Sequence, residues 1–211
     1  MAVNVAISGF GRIGRLVLRS IIESKRKDIN VVAINDLAPV DTNAFLLAND
    51  TVHGPLNEKI SVKKNKMTIG RKTISVLNER DPQKLPWKKM KIDVALECTG
   101  LFTSKEKASM HIKAGAKKVL VSAPCSEADK TIVYGVNEQE ITRNDLVVSN
   151  ASCTTNCLAP VVKVIHEKFG IVHGYMTTIH AFTGDQSVLD TFHPDLRRAR
   201  AASMSMIPTS T

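Results

Sequence analysis

The opening of the chain constrains its fold more than any other feature. Val3-Asn4-Val5-Ala6-Ile7-Ser8 is short, apolar and rich in β-branched side chains, and it reads as a buried strand. It runs straight into Gly9-Phe10-Gly11-Arg12-Ile13-Gly14, after which Ile13, Leu16, Val17 and Ile21 recur at helical spacing. A G-x-G-x-x-G sequence alone is weak evidence. Between a strand and a helix, with an acidic residue about 20 positions further on, it reads as the first βα unit of a dinucleotide-binding fold. That residue is Asp36, which follows a second strand, Val31 to Ile34. Gly9 permits the tight turn, Gly11 lets the backbone approach a pyrophosphate, and Gly14 lets helix and strand pack closely. The helix N-terminus then meets the phosphates with N–H groups and a positive dipole end. Asp36 suits ribose hydroxyls and repels a 2′-phosphate, so NAD is favoured over NADP.

The pattern of strand and helix continues. Asp41 is placed to cap a short helix through Leu47. Residues 60–77 break into short strands with polar turns, a small antiparallel excursion. Asp93 to Cys98, Val119 to Val121, Ile132-Val133 and Leu146 to Ser149 read as further strands. Thr103-Ser104-Lys105-Glu106 matches a capping box that opens a helix ending at Gly115. This alternation implies an α/β fold: a Rossmann-type, doubly wound dinucleotide-binding domain over residues 1–150. Residues 151–211 are then the first part of an α+β catalytic domain, with a helix, a long strand at Ile171 to Phe182, and a basic irregular loop at 183–205. Too little chain follows to close that domain, so a truncated chain or a fragment is expected.

Composition narrows the setting. Four cysteines in 211 residues are not a disulfide framework. The N-terminus has no signal-peptide architecture, and no apolar run approaches membrane-spanning length. A cytoplasmic protein with reduced thiols is expected. The net charge of +9 fits a lysine-rich solvated surface, or attraction to small phosphate-bearing anions. Aromatics make up only 4% of residues and no nucleic-acid motif is present, so no dedicated nucleic-acid or membrane partner is expected.

Ala151-Ser152-Cys153-Thr154-Thr155-Asn156-Cys157 begins the helix that follows the first domain. Two cysteines four residues apart share a helix face. A metal pair wants further Cys or His ligands nearby, and there are none. A disulfide within one helical turn is geometrically poor. Both cysteines as buried packing residues is the serious alternative. The remaining reading makes Cys153 a nucleophile and Cys157 a packing residue. With Ser152 as cap, Cys153 sits in the first turn, where dipole and N–H groups favour a thiolate. A nucleophilic thiol wants a base. Among the histidines, His180 interrupts an apolar stretch close to an irregular loop, although a lone histidine there is more often a core residue.

The stretches GFGRIGR at 9–15, AIND at 33–36, ASCTTNC at 151–157, TTIHAFTGDQ at 177–186, and LRRARAAS through IPTST at 196–211 together resemble the glyceraldehyde-3-phosphate dehydrogenase family. The resemblance covers the whole chain. It implies that Cys153 attacks the aldehyde carbon and that His180 activates the thiol and stabilises the developing oxyanion. Oxidation leaves a thioester, which inorganic phosphate attacks to give an acyl phosphate. It also implies that Ser152, Thr154 and Thr211 hold one phosphate position and Thr183 part of another. Arg198 is the choice for a phosphate contact from the Arg197-Arg198-Ala199-Arg200 run. Phe10, Arg12, Ile13, Asn35, Asp36, Arg80 and Ser122 are implied as NAD contacts, with Thr99 and Gly100 near the ribose or pyrophosphate.

The implied partners are glyceraldehyde 3-phosphate and inorganic phosphate. Because residues 183–205 resemble the family's intersubunit loop, a homotetramer is also implied. Erythrose-4-phosphate dehydrogenase shares ASCTTNC and a stretch like His193 to Arg198. Thr183-Gly184 and Pro208 to Thr211 resemble the triose enzyme more closely. An inactive truncated homologue with a binding role is the other alternative. The family carries a C-terminal portion that this chain lacks, with an arginine for the substrate phosphate and an asparagine that orients the nicotinamide. Phe192-His193-Pro194 also departs from the commonest form of its loop.

Overall fold

A computed structural model describes residues 2–211. They fall into two compact units, Met1–Pro160 and Val161–Thr211. In the first unit, strand β1 (Val3–Ser8) leads into helix α1 (Arg12–Glu23), strand β2 (Ile29–Asn35) and helix α2 (Val40–Ala48). A short hairpin of β3 (Asn49–Asp50) and β4 (Gly54–Pro55) follows, then β5 (Ile60–Lys63), β6 (Lys66–Ile69) and β7 (Lys72–Leu77). Next come β8 (Val94–Glu97), the short helices α3 (Lys105–Ala108) and α4 (Met110–Lys113), β9 (Lys118–Val121), β10 (Lys130–Thr131) and β11 (Val147–Ser149). Helix α5 (Cys153–Phe169) runs out of the first unit into the second.

The nine-stranded sheet has the order β10-β11-β9-β8-β1-β2-β7-β6-β5. From β10 to β7 every neighbouring pair is parallel. The chain moves from β1 to β2 on one side, then returns to β8 on the other. The carboxyl ends of β1 and β8 therefore flank a topological switch point, where open α/β sheets bind ligands. The small antiparallel segment expected at 60–77 is present and is joined to this sheet. β7 lies parallel beside β2, and β6 and β5 extend the same sheet antiparallel. Burial on both faces accounts for the near-continuous apolar strands. Ile7, Val31 and Ile34 pack on one side with Leu18 of α1, while Ala6, Ala33 and Ala95 pack on the other with Trp87.

Several local expectations shift by a residue or a face. Of the face read at Ile13, Leu16, Val17 and Ile21, Ile21 packs partly buried against the core, but none of the four is fully buried. Gly14, Leu18 and Arg19 are its buried residues, and Ile13 is half exposed. Arg19 earns its place by donating to the carbonyls of His53, Gly54 and Pro55, which tie the β3–β4 hairpin to the helix. Asp41 sits in the first turn of α2 without capping it, because Pro39 holds the cap position. The cap of α3 is Ser104, whose hydroxyl accepts from the Lys107 N–H at 3.3 Å. Lysine at that third position rules out a reciprocal capping-box bond. At 132–133 the apolar pair is buried; the Ile132 N–H still donates to the Ser149 carbonyl of β11 at 2.8 Å, while the Val133 N–H is taken by the Asn137 side chain.

Residues 171–182 are not a strand. Val172, Tyr175 and Ile179 are more than nine-tenths exposed, and among the described residues no strand pairs with this segment. An extended apolar segment becomes a strand only when a neighbour supplies the ladder. Residues 183–205 are irregular, as expected.

The three glycines of the first loop serve different purposes. A Cβ at Gly14 would lie 2.2 Å from the Gly9 carbonyl oxygen, and one at Gly9 would lie 2.6 Å from the Cys98–Thr99 peptide. Gly9 also holds φ +87°, a conformation that L side chains rarely adopt. A Cβ at Gly11 would meet nothing among the described residues. We expect Gly9→Ala and Gly14→Ala each to lower stability in urea by about 2 kcal/mol or more, with Gly11→Ala within about 0.5 kcal/mol of wild type. For the helix face, Leu18→Ala should cost about 2–4 kcal/mol and Ile13→Ala under about 1 kcal/mol. The reverse ranking would restore the face read from the sequence.

Candidate active site

Parallel pairing aligns Asn35, Ser8, Glu97, Val121 and Ser149 in one row across five strands. All are buried, none above 6% exposed, and four of them are polar. Just beyond this row the strands end, at Asp36, Gly9, Cys98, Ser122 and Asn150. The buried polar side chains of the row hold the chain that follows. Asn35 donates to the Glu79 carbonyl and accepts from the Glu79 N–H, each at 2.9 Å, which anchors the exposed Arg80 beside the end of β2. The Ser149 hydroxyl donates to the Ala123 carbonyl at 2.8 Å and accepts from the Ala151 N–H at 3.1 Å.

The glycine-rich loop and the acidic residue of the sequence motif meet. Asp36 accepts from the Phe10 N–H at 2.6 Å and from the Ala38 N–H at 2.8 Å. Arg15 donates to the Phe10 carbonyl at 2.9 Å, and Arg12 pairs with Asp50 at 2.6 Å. The loop is therefore held on both sides, with Gly11 at the N-cap of α1 and open space where its side chain would be. Thr99 and Gly100 follow β8 on the same edge, Gly100 with φ +74°.

At the end of β11 the chain turns sharply. Ala151 adopts φ +57°, a left-handed conformation that favours glycine, and is 6% exposed. Helix α5 starts two residues later. Ser152 is the expected cap, its hydroxyl accepting from the Thr155 N–H at 3.0 Å and lying 3.1 Å from the Thr154 hydroxyl. Asn156 closes the turn by donating to the carbonyls of Asn150 and Ser152. Cys153 is thereby placed in the first helical residue, exposed.

A cavity of about 420 Å³ lies over this edge. Of the residues singled out from the sequence, Ile13, Ser122, Ser152 and Cys153 line it. It also contains Asn156 of the ASCTTNC stretch, and Val17, Leu96, Cys98, Leu120 and Asn150, which were not singled out as site residues. Their signal was positional: Leu96 and Cys98, then Leu120 and Ser122, are alternate residues at the carboxyl ends of two parallel strands. Burial pushes the Cys98 thiol up to about 11, and the neighbouring Glu97 carboxylate adds to the effect. Burial also raises Cys125. No disulfide joins any of the four cysteines. Cys157 is exposed and does not pack as expected, because its stretch of α5 carries exposed neighbours such as Leu158 and Val161.

The remaining residues lie in the second unit. His180 is exposed and its Nδ1 lies 2.6 Å from the Ala181 carbonyl, so the neutral ring carries its proton on Nδ1 and its lone pair on Nε2. Arg198 pairs with Asp185 and donates to the Thr209 hydroxyl at 3.1 Å and the Ser210 carbonyl at 2.8 Å. Its guanidinium therefore clasps the segment after Thr183 to the one before Thr211. A wider hollow of about 810 Å³ in this unit is lined by Arg197 and Arg200, and by neither Thr183, Arg198 nor Thr211. Among the described residues, no group of His, Cys, Asp and Glu is arranged to hold a metal ion.

Comparison with known proteins matches this sequence to one family. Residues 3–105 match the family described as glyceraldehyde 3-phosphate dehydrogenase, NAD binding domain, and residues 152–211 match its C-terminal domain. Over all 211 residues the chain is 62% identical to glyceraldehyde-3-phosphate dehydrogenase of Xanthobacter flavus and 61% identical to that of Cereibacter sphaeroides. It is 53% identical to the enzyme of Thermotoga maritima over 208 residues, 99% of this chain and 62% of that one. The chain spans about 63% of the length of the first two relatives. With both of its domains matched and the identity to these relatives above one half, the chain belongs to the glyceraldehyde-3-phosphate dehydrogenase family.

Proposed function

We propose that this chain carries the dinucleotide site and the nucleophile of a phosphorylating, NAD-dependent glyceraldehyde-3-phosphate dehydrogenase. The observation that carries the reading is the single cavity lined both by Ile13 from the glycine-rich loop and by Ser152 and Cys153 from the start of α5. Open space at Gly11, the N-terminus of α1 and the oriented Asp36 fit a dinucleotide at the switch point. NAD, when bound, accepts the hydride. The chain's own residues do the rest. The Cys153 thiolate adds to the aldehyde carbon, in the first turn of α5 where the helix favours an anion. His180 is assigned as the base for the thiol proton and as the donor toward the oxygen of the tetrahedral adduct. After oxidation the substrate is a thioester on Cys153. Inorganic phosphate attacks its carbonyl, the C–S bond breaks, and the acyl phosphate leaves. Ser152, Thr154 and Thr211 are assigned to one phosphate position, and Thr183 and Arg198 to the other.

The same reading places the protein in sugar-phosphate oxidation in the cytoplasm as a homotetramer. Among the described residues, no helix is long and apolar enough to cross a membrane. The test uses the full-length protein with aldehyde, NAD and phosphate, followed by absorbance of the reduced nicotinamide. Glyceraldehyde 3-phosphate should turn over faster than erythrose 4-phosphate, and NAD should serve better than NADP. The opposite substrate ranking would assign the erythrose enzyme, and no turnover of either would leave the binding homologue. Gly11→Ala should weaken NAD while leaving the fold intact.

Alkylation by iodoacetate tests the nucleophile. At neutral pH Cys153 should react well ahead of Cys157, with loss of activity. Both thiols are exposed, so the difference reports the helix start rather than access. Cys98 should label appreciably only as the pH nears 11, since its raised pKa keeps the thiol protonated below that. Equal rates at all four cysteines would sink the assignment.

A further inference from the structure

Behind the cofactor edge lies a chain of buried polar groups that the chemistry above does not use. Trp87, Glu97 and His111 are all at most 1% exposed. The Trp87 indole N–H donates to Nδ1 of His111 at 3.0 Å. That contact makes Nδ1 an acceptor, so in the neutral ring Nε2 carries the proton and donates to Oε2 of Glu97 at 2.8 Å. The other carboxylate oxygen accepts from the Thr99 N–H at 2.7 Å and from the Thr99 hydroxyl. The Thr99 hydroxyl oxygen in turn accepts from the Leu101 N–H at 3.0 Å. Phe102, next in the chain, meets the His111 ring edge-on with centroids 6.5 Å apart.

Every contact to Glu97 is a donor, which suits an acceptor-only carboxylate. Burying such a group is costly, and an apolar side chain would serve packing at least as well. What the carboxylate does here is grip Thr99, from the strand end, through both its N–H and its hydroxyl. We infer that Glu97 is a positioning residue for the dinucleotide: held by His111 and Trp87, it fixes the Thr99–Gly100–Leu101 turn at the mouth of the site. Cofactor affinity is then set in part from inside the sheet. The inference rests on the NAD reading above.

The test is a double-mutant cycle on NAD binding by calorimetry in the full-length protein. In Glu97→Gln, an amide cannot accept from both His111 and Thr99, because one of its two ends is a donor. NAD binding should weaken about tenfold, the size expected for lost hydrogen bonds to a charged group. Iodoacetate should still alkylate Cys153 at the wild-type rate, which a general distortion of the site would change. Adding Thr99→Val to Glu97→Gln should weaken binding no further, because Glu97 acts through Thr99. Trp87→Phe leaves His111 Nδ1 without its donor and should weaken NAD in the same direction. A folded Glu97→Gln protein with an NAD affinity within about twofold of wild type would overturn the inference. Full additivity with Thr99→Val would do the same. If Glu97→Gln does not fold, Trp87→Phe decides: weaker binding upholds the relay and unchanged binding refutes it. Failure of the wild type to bind NAD would instead overturn the NAD reading, and the inference with it.

Discussion

The structure depends first on a contact between two backbones. At Gly9 the chain leaving β1 runs so close to the Cys98–Thr99 peptide that no Cβ fits between them. Gly9 donates to the Asn35 carbonyl on one side, while Ser8 accepts from the Cys98 N–H on the other. The first loop is thereby wedged between the carboxyl ends of β2 and β8, at the point where the strand order reverses. The cradle of α1, the position of Asp36 and the turn after Glu97 all follow from that closeness. A side chain at Gly9 or Gly14 would push the helix away from the strands and widen the edge before any ligand arrived.

Around this wedge, the buried row supplies order of a second kind. Loops at the end of a parallel sheet have no ladder of their own, and their backbone groups need partners. Here the last paired residues of the strands provide them from below. Asn35 binds Glu79, Glu97 binds Thr99, and Ser149 binds Ala123 and Ala151. The edge is thus preorganised by polar groups that water does not reach, where hydrogen bonds are strong and unmade ones are costly. The same edge puts a strained Ala151 two residues before Cys153. Together with the Ser152 cap, that turn aims the first residue of α5 outward rather than into the sheet.

Local signals in the chain were read well because each lies within a few residues of what it controls. The strand at 3–8, the glycine loop and the helix start at Ser152 are set by near neighbours, by side-chain shape and by cap chemistry. Readings that depended on the partner across the gap went differently. The buried face of α1 is centred on Leu18 because the sheet's twist and the β3–β4 hairpin decide which side is covered. The apolar stretch at 171–182 has the composition of a strand but no described neighbour to pair with. Cys157, one turn below Cys153, has no layer over it and is exposed.

By itself, then, the sequence determined the first βα unit, the alternation that makes a parallel sheet, and the residue types proposed to bear the chemistry. Only the tertiary structure decided which of those residues share a cavity, and which silent ones support them. Trp87, His111 and Glu97 carry no motif, and they meet across 24 and 14 residues. Asn35 and Glu79 meet across 44. A hydrogen bond between distant segments leaves no local pattern in either of them. Its partners are chosen by the strand order and by the burial that the strand order creates.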